Sequence, residues 1–140
     1  MNTKKALWVK RPKNYINIDL HSFSWIENGK SSVFWTLGEE GDISLSIIHS
    51  SSVQAEFILL HTPSDYVKFS CDGIYSSFFG LDSFIPSSSF DSIVLKKTGT
   101  TLSFYSKDVL IYKIENPAFL GSASFGINTS GNGEVSIRVF

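Results

Sequence analysis

The side chains able to do chemistry are few and widely spread in this 140-residue sequence. Hydrolysis of a glycosidic bond needs two carboxyl groups at a set separation, one to protonate the leaving oxygen and one to activate water or attack. The thirteen acids are scattered, and most fall in stretches that read as turns: Glu27, Glu39, Glu40, Asp42, Asp65, Asp72, Asp82, Asp108 and Glu134. Turn carboxylates usually bond their own backbone or water. Glu56 is the best-placed strand carboxylate, but it sits among outward polar residues and reads as surface. Nucleophilic chemistry has little more support. Gly121-Ser122-Ala123-Ser124-Phe125-Gly126 lacks the spacing of a nucleophile elbow, and Cys71 beside Phe69 reads as a small buried hydrophobe. His21, His49 and His61 show no compact zinc spacing, and a single cysteine removes the thiolate partners such sites use. Asp72 and Asp82 fall short of the oxygen-rich composition of a calcium loop. The expectation is no catalytic residue, no metal and no cofactor.

Aromatic residues make up 14% of the chain and offer a different function. A Tyr or Trp ring stacks on a sugar or a protein groove while its polar edge hydrogen-bonds. The segment Cys71–Asp91 collects Tyr75, Phe78, Phe79, Phe84 and Phe90 with Asp72, Asp82 and a serine run, and it reads as the one long irregular stretch, with Tyr75–Leu81 open to a short strand or a single helical turn. Trp25, Asp72, Tyr75, Phe78, Phe79 and Asp82 are therefore the candidate ligand-binding residues. Plugging the end of a core is the rival role for Tyr75, Phe78 and Phe79. Trp25, next to Asn28-Gly29, reads as either a platform or a lid, and Trp35 as core.

The elements that would carry these residues are strands. Apolar residues recur with period two at Ile16, Ile18 and Leu20, at Val33, Trp35 and Leu37, and at Ile43, Leu45 and Ile47. The same pattern returns at Val53, Ala55, Phe57 and Leu59, at Leu110, Tyr112 and Ile114, and at Val135, Ile137 and Val139. Period two is the mark of half-buried strands, and no stretch shows helical spacing. Asn28-Gly29, the segments 39–42 and 49–52, Thr98-Gly99-Thr100 and Gly131-Asn132-Gly133 read as the hairpin turns between strands. About ten strands at this spacing predict an all-β, two-sheet antiparallel sandwich forming a single domain over residues 1–140.

Composition sets the outer limits. Hydrophobic residues are 42% and charged residues 18%, which fits a globular chain. The net charge is −1. The one basic cluster, Lys4, Lys5, Lys10, Arg11 and Lys13, reads as a solvated edge strand, so nucleic acid is not expected as a partner. The apolar run before Lys10 is too short for a signal peptide, and no stretch approaches a membrane span. The default expectation is therefore a cytoplasmic protein.

The segment from Ser92 through Gly99 and Leu102-Ser103-Phe104-Tyr105 to Val109-Leu110-Ile111-Tyr112 resembles the concanavalin A-like (laminin G-like) jelly roll, as do Ser124–Ile127 and Glu134–Phe140. The likeness covers roughly residues 90–140. Lys107-Asp108 stands where that superfamily usually has Asn-Gly or Asp-Gly. Its glucanase carboxylate strand is not reproduced, since Glu40-Gly41-Asp42 continues without a third acid. The galectin and legume-lectin motifs are missing as well. The resemblance implies a jelly-roll sandwich from a superfamily rich in sugar binders and transfers no functional residue. Two functions follow: a non-catalytic, lectin-like module for carbohydrate or a glycan-bearing surface, or an assembly domain making protein–protein or homo-oligomer contacts. A small glycosidase is the weakest reading.

Overall fold

The computed structural model describes residues 6–10, 14–18, 22–37, 40–62, 64–78, 80–88, 90–115 and 123–139; for 6–10, 14–18, 22–23, 27, 37 and 40 it describes backbone alone. These residues form twelve antiparallel strands and no helix. The strands are β1 (Ala6–Lys10), β2 (Asn14–Ile18), β3 (Ser22–Leu37), β4 (Glu40–His49), β5 (Val53–Thr62), β6 (Asp65–Ser70), β7 (Gly73–Phe78), β8 (Leu81–Pro86), β9 (Ser92–Thr98), β10 (Thr101–Ser106), β11 (Val109–Glu115) and β12 (Ala123–Val139).

All twelve belong to one hydrogen-bonded network that folds back on itself. Its backbone is the pair β3–β12, in register from Ala123 opposite Leu37 to Arg138 opposite Ser22. The halves of β12 have different outer neighbours. Ser124–Gly131 pairs β5, whereas Val135–Val139 pairs β4. Likewise β1 pairs the Ser32–Trp35 part of β3 and β2 pairs the Phe23–Ile26 part. One layer therefore runs β1-β3-β12-β5-β6-β7-β8 and the other β2-β3-β12-β4-β9-β10-β11. Ring contacts tie the layers across the core: Phe69 of β6 lies 4.8 Å from Phe104 of β10 and 6.5 Å from Tyr112 of β11. This is a two-sheet antiparallel sandwich, as the alternation predicts.

Two expected hairpin turns prove to be bends within strands. Asn28-Gly29 lies inside β3 and Gly131-Asn132-Gly133 inside β12, with Gly29 opposite Gly131. Gly29, Gly131 and Gly133 have φ of 112°, 113° and 143°, values open to residues without a Cβ. They let both long strands leave one layer and enter the other. The turn between β4 and β5 is also not a hairpin: it crosses between layers and nests in the bend of β12. There Ser50 donates its N–H to the Glu134 carbonyl at 3.0 Å, and its hydroxyl accepts the Glu134 N–H at 3.2 Å. The Ser52 hydroxyl donates to the Asn132 carbonyl. A Cβ on Gly133 would overlap Ser50 Oγ, and one on Gly131 would overlap the Ser52 carbonyl. True hairpins form at Gly99, with φ 56°, and at Lys107-Asp108, whose φ of 51° and 64° suit a two-residue turn.

The core follows the alternation. Trp35, Phe57, Leu59, Phe69, Phe104, Phe125, Val135 and Ile137 are at most 1% exposed. Lys97 continues the inward parity of Ile93 and Leu95 and is buried, its ammonium donating to the Gly99 carbonyl at 3.1 Å. Trimming Ile137 to Ala is expected to cost about 2–5 kcal/mol as a large-to-small core change. Ser136→Ala, on the outward side facing Ser24, should cost under about 1 kcal/mol. Paired urea melts check the contrast.

Candidate functional site: an aromatic and carboxylate patch on the outer sheet face

The stretch Cys71–Asp91 is not irregular. It contains the β7–β8 hairpin at the edge of the first layer, entered through a tight turn at Cys71-Asp72. The pattern hides this because all six residues of β8 are exposed. Selection for alternate burial has nothing to act on there.

Strand parity then sorts the candidate residues. Phe78 points inward and is 5% exposed, so it plugs the core. Trp25 is fully buried in the β2-side half of β3, so its ring offers no platform. Phe79 lies outside the described residues. Asp72, Tyr75 and Asp82 are on the accessible outer side, with Tyr75 half-buried. Cys71 is exposed at the turn and is not the buried hydrophobe its neighbours imply.

Asp72 and Tyr75 are brought together. The Tyr75 hydroxyl donates to Asp72 Oδ2 at 2.7 Å and the Ser70 hydroxyl to Asp72 Oδ1 at 2.7 Å. These two bonds, Tyr75 first, hold the Asp72 carboxyl below its ordinary value of 3.8, and the same contact raises the Tyr75 phenol above 10.0. The Tyr75 ring lies between two neighbours supplied by register. Lys68 is opposite on β6, its ammonium 5.3 Å from the ring centroid; Phe84 is opposite on β8, with ring centroids 4.5 Å apart. Gly73 makes room, since a Cβ there would lie 2.6 Å from the Phe84 ring. Lys68, Ser70 and Phe84 are absent from the sequence-derived set. Two turns supply the signal: the one at Cys71-Asp72 sets position 68 opposite 75, and the β7–β8 hairpin sets position 84 opposite 75.

The same outer face continues across the layer. Phe34, Gly126, Ile58, Lys68, Tyr75 and Phe84 form one register row over six strands. Beside it the Ser32 hydroxyl donates to Asn128 Oδ1 at 2.7 Å, and the Asn128 amide donates to Glu56 Oε1 at 3.4 Å. Glu56 is thus a ladder partner as well as surface. A cleft of about 600 Å³ opens where β3, β12 and β5 approach the bend, its walls including Glu56, Asn128, Ser70, Cys71, His49 and Phe90. Such a volume falls within the range of small-ligand sites. Ser70 joins the cleft to the Asp72–Tyr75 patch. Among the described residues no three His, Cys, Asp or Glu side chains are grouped to hold a metal ion.

Layer order and shared strands together define the fold as a two-sheet antiparallel jelly roll. Solved structures sharing it include the TRIM65 PSpry domain, with TM-score 0.63 and 9% identity over 99% of this chain and 92% of that one. The carbohydrate-binding module CBM66 from Bacillus subtilis aligns with TM-score 0.54 and 11% identity over 99% and 93%. LamAcat from Zobellia galactanivorans aligns with TM-score 0.62 and 7% identity over 98% and 89%. At these identities the likeness is one of fold. No protein-family model and no curated protein matches the sequence.

Because the Asp72 carboxyl is held below its ordinary value, Tyr75→Phe should move its titration midpoint upward. Lowering the pH through the folded-state midpoint should release the Tyr75 and Ser70 hydroxyls, and raising it again should restore them. An NMR titration of the Asp72 side-chain carbon in both proteins measures the direction.

Proposed function

We propose that this chain is a non-catalytic binding module for carbohydrate or a glycan-bearing surface, reading its ligand with the outer face around Tyr75. The observation that carries this is the carboxylate of Asp72 fixed by Ser70 and Tyr75 beside the Tyr75–Phe84 ring pair. Each Asp72 oxygen keeps a lone pair for a sugar hydroxyl after accepting its protein bond. Phe84, 45% exposed, offers apolar ring surface for the C–H face of a pyranose. Ser32, Asn128 and Glu56 supply further donors and acceptors along the same face.

The same geometry does not suit Asp72 to the acid role of a glycosidase. A glycosidase acid must hold its proton near neutral pH, which requires a raised pKa. Asp72 is pushed the other way by its hydroxyl donors. The fold is shared by carbohydrate-binding, PSpry and hydrolase structures, so this choice rests on the residues of the patch.

Tyr75→Ala and Phe84→Ala should each weaken binding to a responsive polysaccharide by about 1–3 kcal/mol, taking the scale of aromatic stacking on nucleobases. Their melting temperatures should shift little. Calorimetric titration against soluble glucans, fructans and host-type glycans provides the measurement, and unchanged affinity in both variants would sink the proposal. Dialysis against EDTA should leave binding and melting unaltered. Release of reducing ends from a bound glycan, lost in Glu56→Gln, would replace the module with an enzyme.

A further inference from the structure

The edge strand β8 has the layout of a self-pairing surface, independent of the sugar reading. Among the described strands β8 hydrogen-bonds β7 alone. Unpaired edges are templates for another strand, and proteins usually blunt them with Lys, bulges or Pro. From Phe69 to Leu95 there is no Lys or Arg, β8 pairs β7 without a bulge, and its one proline is the terminal Pro86.

The ladder shows which backbone groups of β8 the pairing with β7 leaves unused. Ser87 donates its N–H to the Asp72 carbonyl at 3.2 Å, one step beyond the Gly73–Pro86 pair. Antiparallel strands alternate bonded and non-bonded pairs. Leu81, Ser83 and Ile85 therefore direct their backbone groups to β7, while Asp82 and Phe84 point N–H and C=O away from the sheet. The side chains divide differently. Leu81 and Ile85 pair inward-facing Phe78 and Ile74, yet they are 77% and 45% exposed.

We propose that a second copy of this chain pairs with β8 in antiparallel fashion about a two-fold axis at Ser83. In that register Asp82 meets the second copy's Phe84 and the reverse, so the outward N–H and C=O groups of both form four hydrogen bonds. Leu81 then lies across from the second copy's Ile85, and Ile85 from its Leu81, which covers the exposed apolar pairs on the inner side. Sliding the register two residues one way sets Asp82 against Asp82, a like-charge pair. Sliding it two residues the other way sets Asp82 against Pro86, which has no N–H to give. Charge, hydrogen bonding and apolar contact select the same register, and the two-fold closes the assembly as a dimer.

Light-scattering mass across a concentration series should show wild type and Asp82→Asn passing from monomer to dimer. Asp82→Pro removes an outward N–H and no β7 bond, so it should stay monomeric at every concentration with an unchanged melt. In a Cys71→Ser background, Ser83→Cys should form an intermolecular disulfide on mild oxidation. Non-bonded antiparallel pairs hold Cα atoms about 4.5 Å apart, within disulfide range. A wild-type monomer throughout, a dimer that survives Asp82→Pro, or a dimer that the Ser83→Cys substitution fails to cross-link would each overturn the proposal.

Discussion

Both layers of this sandwich are built on one pair of strands. β3 and β12 stay in register across sixteen residue pairs, and each belongs half to one layer and half to the other. The first half of β12 sends Phe125 and Ile127 into the core from one side; the second half sends Val135 and Ile137 from the other. The bend between them must turn the chain without interrupting the ladder, so it needs backbone conformations that side chains resist. Gly29, Gly131 and Gly133 meet that need, and the missing Cβ atoms of Gly131 and Gly133 admit the Ser50–Ser52 turn. Layer spacing, the crossing from β4 to β5 and the cleft beside the bend all depend on this arrangement.

How much of this is legible in the sequence depends on whether a residue's environment or its partner carries the information. The strands with one buried face are readable because period two records burial directly, as at Ile43, Leu45 and Ile47. The bends read as hairpins because Asn-Gly and Gly-Asn-Gly permit positive φ whether the chain reverses or only kinks. Nothing local distinguishes the cases; the distinction lies in β3 and β12 being partners about a hundred residues apart. β8 escapes notice for the opposite reason, since exposure on both faces leaves no burial pattern to read.

The candidate site divides in the same way. Asp72 and Tyr75 are visible as an acid and an aromatic three residues apart, and the entry into β7 brings the carboxylate to the hydroxyl. Lys68 and Phe84 reach Tyr75 only through cross-strand register, which depends on the β6–β7 and β7–β8 hairpins. Trp25 enters the set through the expected turn at Asn28-Gly29, and once that turn is a bend its neighbour becomes core.

The sharing of β12 also bears on the order of assembly. During synthesis β3 emerges early, and its long partner follows more than eighty residues later. Until β12 is made, β4 and β5 lack the strand that joins each to β3, so neither layer can close. Local hairpins such as β6–β7–β8 and β9–β10–β11 join strands adjacent in sequence and can form at once. The final step then inserts one strand between preformed halves at a high cost in loop closure, which places this domain among slow folders of high contact order. A nascent chain halted before Ala123 would present two half-sheets, each with a bare edge where β12 belongs.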